Sequence, residues 1–166
     1  MTVRPILDIL DPALRHPSVP VPAIGEDVQI LVRDMFETMA QAHGAGLAAI
    51  QVGVPLRIFT MKPDDDRPGF VLINPVVIPR SNEEIEVEEG CLSMPGLFFP
   101  VRRAARIAVE FEDLAGVRSG LGLEGFDAVC VQHETDHLDG VRSIDRVSRL
   151  RRERLIKRHR AGRAGA

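Results

Sequence analysis

A chain of 166 residues, 45% hydrophobic and 27% charged, has the makeup of one globular domain able to bury its own core without staples. No apolar run approaches the roughly 20 residues that span a bilayer, and Met1-Thr2-Val3-Arg4-Pro5 lacks the pattern of a secretory signal, so a cytoplasmic protein with no membrane partner is expected. The formal net charge of −3 hides an asymmetry: from Val141 onwards there are ten Lys and Arg against two acids, and before it eleven against twenty-two. With two cysteines in such a setting, a metal or catalytic role for one is favoured over a disulfide.

The opening segment carries Pro5, Pro12, Pro17, Pro20 and Pro22, which rules out continuous helix and predicts an extended arm. A helix is expected from about Gly25 to Ala42, with acids at its start and Val28, Leu31, Val32, Met35, Phe36 and Met39 on its apolar face. Glycines and small residues follow in Gly44-Ala45-Gly46-Leu47-Ala48-Ala49-Ile50-Gln51. Such a run lets backbone approach a ligand closely, and the Gln51 amide is a candidate donor to a developing oxyanion. Strands are expected at Leu56 to Met61, Phe70 to Asn74, Glu84 to Glu88 and Ile107 to Glu112. The Asp64-Asp65-Asp66 triplet between the first two reads as a solvated turn, since it lacks the spaced ligands of a calcium loop.

From about Gly125 to Leu138 a helix is expected, closed by Gly140. It contains His133-Glu134-Thr135-Asp136-His137, two imidazoles one turn apart that can share a metal ion, with Glu134 placed to act on water. Phe126, Val129, Cys130, His133 and His137 recur at helical spacing and are expected to be buried together. An open catalytic site needs a third protein ligand. Cys91, at the end of a strand between Gly90 and Leu92, is the leading candidate, and Glu153 the rival. A thiolate with two imidazoles suits Fe(II), Zn(II), Ni(II) or Co(II). Strands followed by a buried helix argue for an α+β fold. The tail from Ser148 to Arg160 is helix-compatible, with Val147, Leu150, Leu155 and Ile156 as a ragged apolar face. Its charge suits an anionic surface such as RNA, but with no aromatic residues for stacking no sequence-specific nucleic-acid partner is expected.

Gly44 to Gln51, Glu89-Gly90-Cys91-Leu92-Ser93 and Gln132 to His137 together resemble the three signature motifs of peptide deformylase, in the same order and at matching separations. The likeness runs from about Asp11-Pro12 to Asp145-Arg146. It implies a hydrolase that removes the formyl group from the N-terminal formylmethionine of newly made bacterial or organellar polypeptides, releasing formate, with a bacterial cytoplasm as the expected setting. It also implies antiparallel β-sheets surrounding a central α-helix that carries HExxH, with a C-terminal helix. Residues 1–147 would form the catalytic region and 148–166 a basic tail of the same domain. Carried onto this sequence, Cys91, His133 and His137 would be the metal ligands, with Fe(II) the usual ion. Glu134 would be the general base, and the Gln51 amide and Leu92 backbone N–H the oxyanion donors. Gly44, Ala45 and Gly46 would lie along the substrate backbone, with Phe98, Val129 and Cys130 around its methionine. Glu89 is expected to orient His133, and Asp136 to pair with Arg103. The family's C-terminal helix can contact the ribosome, which would give the basic tail a partner. After Gly140 the family commonly has two large apolar residues where this chain has Arg142-Ser143, so different packing is expected there. Two other classes are weighed beside this one: an HExxH endopeptidase using Glu153, and a non-catalytic metal-stabilised module that binds ribosome or RNA.

Overall fold

The proline-rich arm is extended, as its composition requires. In the computed structural model, which describes residues 2–63 and 66–164, the arm is broken by a turn at Ile9 and Leu10, closed by Asp11 N–H on the Asp8 carbonyl, and by a 3-10 turn at Pro12–Arg15, where the Asp11 carboxylate accepts the Ala13 N–H. Its backbone is pinned by N–H donation from Leu7 to Gln51, from Ile9 to Ser93 and from Val19 to Pro55. Ile9 and Leu14 are fully buried.

Helix α1 (Glu26–Gln41) starts with Glu26 and Asp27 in its first turn, where acids complement the exposed N–H groups. It lays Val28, Leu31, Val32, Met35 and Met39 into one apolar cluster. Asp34 and Thr38 are buried on the same helix. The arm satisfies them: Thr2 N–H donates to Asp34 Oδ1 at 2.8 Å, Arg4 Nη2 to Asp34 Oδ2 at 3.0 Å, and Arg4 N–H to Thr38 Oγ1 at 2.9 Å.

Seven strands follow in the order β1 (Gly46–Ala48), β2 (Ile58–Met61), β3 (Phe70–Pro79), β4 (Glu84–Cys91), β5 (Met94–Ala104), β6 (Arg106–Glu112) and β7 (Arg118–Glu124). Five of them form an antiparallel sheet ordered β1-β2-β3-β6-β7, and β4 and β5 form a separate antiparallel pair. The architecture is α+β, as expected. Three of these strands, β1, β5 and β7, depart from the expected set. Strand β5 carries Pro95 and Pro100, which remove ladder donors, but in a two-stranded ribbon each strand has a free edge and the loss is tolerated. Strand β7 contains Gly120 and Gly122, lies at a sheet edge and is mostly exposed, so it has no apolar alternation to announce it. Strand β3 also continues past Asn74. A register shift between Ile73 and Val76 absorbs the irregularity, with Asn74 at φ +51° and its side-chain amide exchanging two hydrogen bonds with the Val21 backbone. Asp64 and Asp65 of the expected polar turn lie outside the described residues.

Helix α2 (Gly125–Leu138) has the expected bounds and a different environment. Rather than burying one stripe, it buries Ala128, Val131 and Leu138 as well as His133 and His137. It packs against β1, β2, β3, β6 and β7 of one sheet and against β5 of the other. Phe126, expected inside, is 55% exposed, because the first turn of α2 emerges from between the sheets. At the far end Gly140 has φ +74°, and a Cβ there would stand 2.8 Å from the Arg15 carbonyl oxygen. The arm crosses the helix end at a distance only glycine permits.

Arg142 gives this turn its departure from an apolar plug. It is buried and donates through Nε and Nη2 to Asp145, at 2.8 and 2.9 Å, and through Nη1 to the Ile9 carbonyl. Helix α3 (Arg149–Ala164) then packs Leu155 and Ile156, alongside Val147 just before it, onto a cluster that includes Ile9, Met94 and Phe99. Leu150, counted on the expected apolar face, is exposed instead, since the helix touches the body along a single narrow line. His159 Nε2 and Arg163 both reach Asp8 Oδ2, the former at 2.7 Å. Among the described residues no helix is long and apolar enough to cross a membrane.

The Thr2 N–H first, and the Arg4 guanidinium with it, hold the Asp34 carboxyl below its ordinary value. Its contribution to stability is therefore present above the unfolded value of about 3.9 and disappears as pH falls through the lower folded value. Thermal unfolding of wild type and Asp34→Asn across pH is expected to show the variant less stable at neutral pH, with the gap closing below about pH 4.

Candidate metal centre

One turn of helix separates His133 from His137 on α2, and their rings meet edge to face with centroids 5.0 Å apart. Strand β4 ends at Cys91 beside them, with Sγ 3.3 Å from His137 Nε2. One donor atom from each of Cys91, His133 and His137 lies within 4.8 Å of the others. Glu153 is elsewhere: it is exposed on α3 and accepts from Arg149 Nε at 2.9 Å. Both cysteines are free thiols.

The cluster is held from behind by buried charge. Glu89, two residues before Cys91, contacts His133 Nδ1 at 2.8 Å and receives Arg103 Nε and Nη2 at 2.7 and 2.9 Å. Arg103 also donates from Nη1 to Asp136, which is further paired with Arg146. Arg103, Glu89 and Asp136 are each at most 6% exposed. Burial alone would raise the Glu89 carboxyl, but hydrogen bonds from Arg103 and His133 outweigh it and bring it down to about 2. Glu89 is thus a fixed anion that draws the His133 Nδ1 proton and leaves Nε2 for the cluster.

Burial pulls His133 down, yet its hydrogen bonds to Cys91 and Glu89 prevail and hold it well above the ordinary histidine value. His137 is held well below, by burial and by the charges of His133 and Arg103. A soft sulfur and two imidazole nitrogens converging in this cluster fit a divalent transition-metal ion.

A cleft of about 380 Å³ opens onto this cluster, lined among others by Gly44, Ala45, Gly46, Gln51, Leu92, Phe98, Val129, Cys130 and Glu134. All the residues expected to touch substrate or oxyanion therefore share one cavity. Gly46 is required by close approach: a Cβ on it would stand 2.5 Å from Glu134 Oε1 and 3.0 Å from Cys130 Sγ. Burial pushes the Glu134 carboxyl up to about 7, with Glu89 adding to the rise against the opposing charges of His133 and Arg103. Its Oε2 is buried with no hydrogen-bond partner. Gln51 sits in a 3-10 turn (Ala49–Val52) directly after β1, 1% exposed.

A sequence profile described as polypeptide deformylase matches residues 3–153. The chain belongs to the polypeptide deformylase family. A peptide deformylase of Rhizobium meliloti strain 1021 is 45% identical over 161 residues, covering 95% of this chain and 92% of that protein. One from Bradyrhizobium sp. strain BTAi1 is 47% identical over 165 residues, covering 95% and 94%. Among solved structures, a peptide deformylase from Legionella pneumophila superposes with a TM-score of 0.93 at 38% identity, covering 98% of this chain and 96% of that one. The Ehrlichia chaffeensis peptide deformylase in complex with actinonin gives 0.91 at 36% identity, covering 95% and 96%.

Within this deformylase fold some residues near the site were not singled out from sequence. His43 and Leu97 also line the cleft, as does Phe126, which was expected in the core. Arg146 supplies the second cation on Asp136, and an acid on a buried helix followed ten residues later by an arginine was the only hint of it. Ser93 contacts Gln51 and lay in view inside the second motif.

If Glu89 holds His133 in its binding tautomer, Glu89→Ala is expected to weaken metal affinity by about 10- to 100-fold, measured by competition with a chromogenic chelator. Unchanged affinity would remove Glu89 from the site.

Proposed function

We propose that Cys91, His133 and His137 hold one divalent ion, Fe(II) natively with Zn(II), Ni(II) or Co(II) as substitutes, and that the chain hydrolyses the formyl amide of N-formylmethionyl peptides. The convergence of these three donors beside the partnerless carboxylate oxygen of Glu134 carries the proposal. Enclosure of α2 by the two sheets then serves as the rigid mount for the two histidines.

A divalent ion bound there would polarise the formyl carbonyl and make water more acidic. Glu134 takes the proton from the attacking water at its free Oε2. With burial holding its carboxyl near neutrality, it can also give that proton to the departing amine nitrogen. The Gln51 Nε2 amide and the Leu92 backbone N–H donate to the oxygen that becomes negative. Gly44 to Gly46 offer bare backbone along which an extended peptide can lie as an added strand. Val129, Cys130 and Phe98 surround the methionine side chain with apolar atoms. The products are formate and a free amino terminus.

The same reading gives α3 a role as a docking element of the one domain, for residues 148–166 together with the catalytic 1–147. Arg151, Arg154, Lys157, Arg158 and Arg160 are exposed on it, and a cationic helix of this kind suits ribosomal RNA in a bacterial cytoplasm.

Formate release from a formyl-Met peptide by anaerobically prepared protein is expected to fall at least about 100-fold in Glu134→Ala, with metal content retained. Equal rates in the two proteins would refute the assignment. Ribosome co-sedimentation is expected to weaken with rising salt, and to weaken again in Arg151→Glu/Arg154→Glu/Arg158→Glu at fixed salt. Undiminished binding by that variant would remove the docking role from α3.

A further inference from the structure

The oxyanion donor has a support that the chemistry above does not use. Gln51 Oε1 accepts the Ala48 N–H at 2.9 Å, which settles the end of the side chain that is the amide. Nε2 then has two hydrogens to place. One donates to Ser93 Oγ at 3.1 Å. The other donates to Cys91 Sγ at 3.6 Å, a long contact on the side of the metal-ligand cluster. Ser93 is 2% exposed, so its hydroxyl has no bulk water with which to exchange this contact.

Both residues are gripped from the same direction. Leu7 N–H donates to the Gln51 carbonyl at 2.7 Å and Ile9 N–H to the Ser93 carbonyl at 2.8 Å. Leu7 and Ile9 flank Asp8, where the arm enters a turn, so three residues of the arm span the two partners like a clamp. The clamp is itself fixed. Ile9 is fully buried in the cluster with Met94, and Asp8 between the two donors accepts His159 Nε2 and Arg163 from α3.

We propose that Ser93 is a positioning residue for Gln51: its hydroxyl, set by the clamp at Leu7 and Ile9, occupies one amide N–H so that the other is aimed at the developing oxyanion. This rests on the reading of Gln51 as an oxyanion donor. A glutamine side chain left to rotate would meet the transition state in only part of its conformations, whereas substrate binding itself draws little on that amide. The loss therefore falls on kcat.

The test is a double-mutant cycle of wild type, Ser93→Ala, Gln51→Ala and the double variant, each with metal content, kcat and KM measured on a formyl-Met peptide. Gln51→Ala alone is expected to lower kcat by about 100-fold or more. Ser93→Ala is expected to lower it about 3- to 10-fold, the scale of one neutral hydrogen bond, with KM changed less than about twofold and a full complement of metal. In the Gln51→Ala background the serine substitution is expected to change nothing further. An unchanged kcat in Ser93→Ala, the same loss in both backgrounds, or loss of metal from Ser93→Ala would each overturn the proposal. If Gln51→Ala itself keeps full kcat, the failure lies in the oxyanion-donor reading on which the proposal rests.

Discussion

Arg103 is the group on which the arrangement of the site depends. It lies on β5, outside the three motifs, and reaches through the interior to Glu89 on β4 and Asp136 on α2. Removing a guanidinium from such a place would leave Glu89 with His133 alone and Asp136 with Arg146 alone, a loss on the order of 3 to 5 kcal/mol for a broken buried pair. The consequence is geometric as well as energetic. Glu89 stays ionised deep in the protein because Arg103, together with His133, holds its carboxyl down, and an ionised Glu89 is what turns the His133 ring so that its other nitrogen faces Cys91 and His137.

Packing α2 against strands of both sheets makes this possible. A half-exposed amphipathic helix would leave His133, Glu134 and Asp136 open to water, where charges are screened and side chains turn freely. Between two sheets, the low dielectric strengthens each contact and raises the Glu134 carboxyl toward neutrality. Glu134 Oε2 is buried with no hydrogen-bond partner, as are Thr135 Oγ1 and His137 Nδ1 on the same helix. The cleft lies on the Glu134 side of the helix, while Arg103 and Arg146 occupy the other through Asp136.

Much of this was readable in the amino-acid order, because the informative residues sit in short local patterns. The spacing of His133 and His137 declares a shared helical face, and α2 begins and ends where its glycines place it. Cys91 could be nominated from its position at a strand end. The pairing of Asp136 with Arg103 was expected too, but not the second cation, Arg146, since a contact between a helix and the turn beyond it leaves no periodic trace. Strands β1, β5 and β7 were hidden by glycine and proline, whose weak strand propensities are overridden by cross-strand pairing. Phe126 kept the helical period but lies beyond the point where the sheets cover the helix, so periodicity alone misplaced it. The hydrogen bonds from Leu7 and Ile9 to Gln51 and Ser93 join positions 44 and 84 residues apart through backbone atoms, which side-chain patterns do not encode.

In the proposed centre a thiolate and two imidazoles, aligned by buried charge, bind the catalytic ion. X-ray absorption at the metal edge of anaerobically purified protein addresses that ligand set directly. One sulfur at about 2.3 Å together with nitrogen or oxygen scatterers near about 2.0 to 2.1 Å, two of them with imidazole outer-shell features, is the predicted result for a zinc-substituted sample. A first shell without sulfur, made of nitrogen and carboxylate oxygen alone, would contradict it.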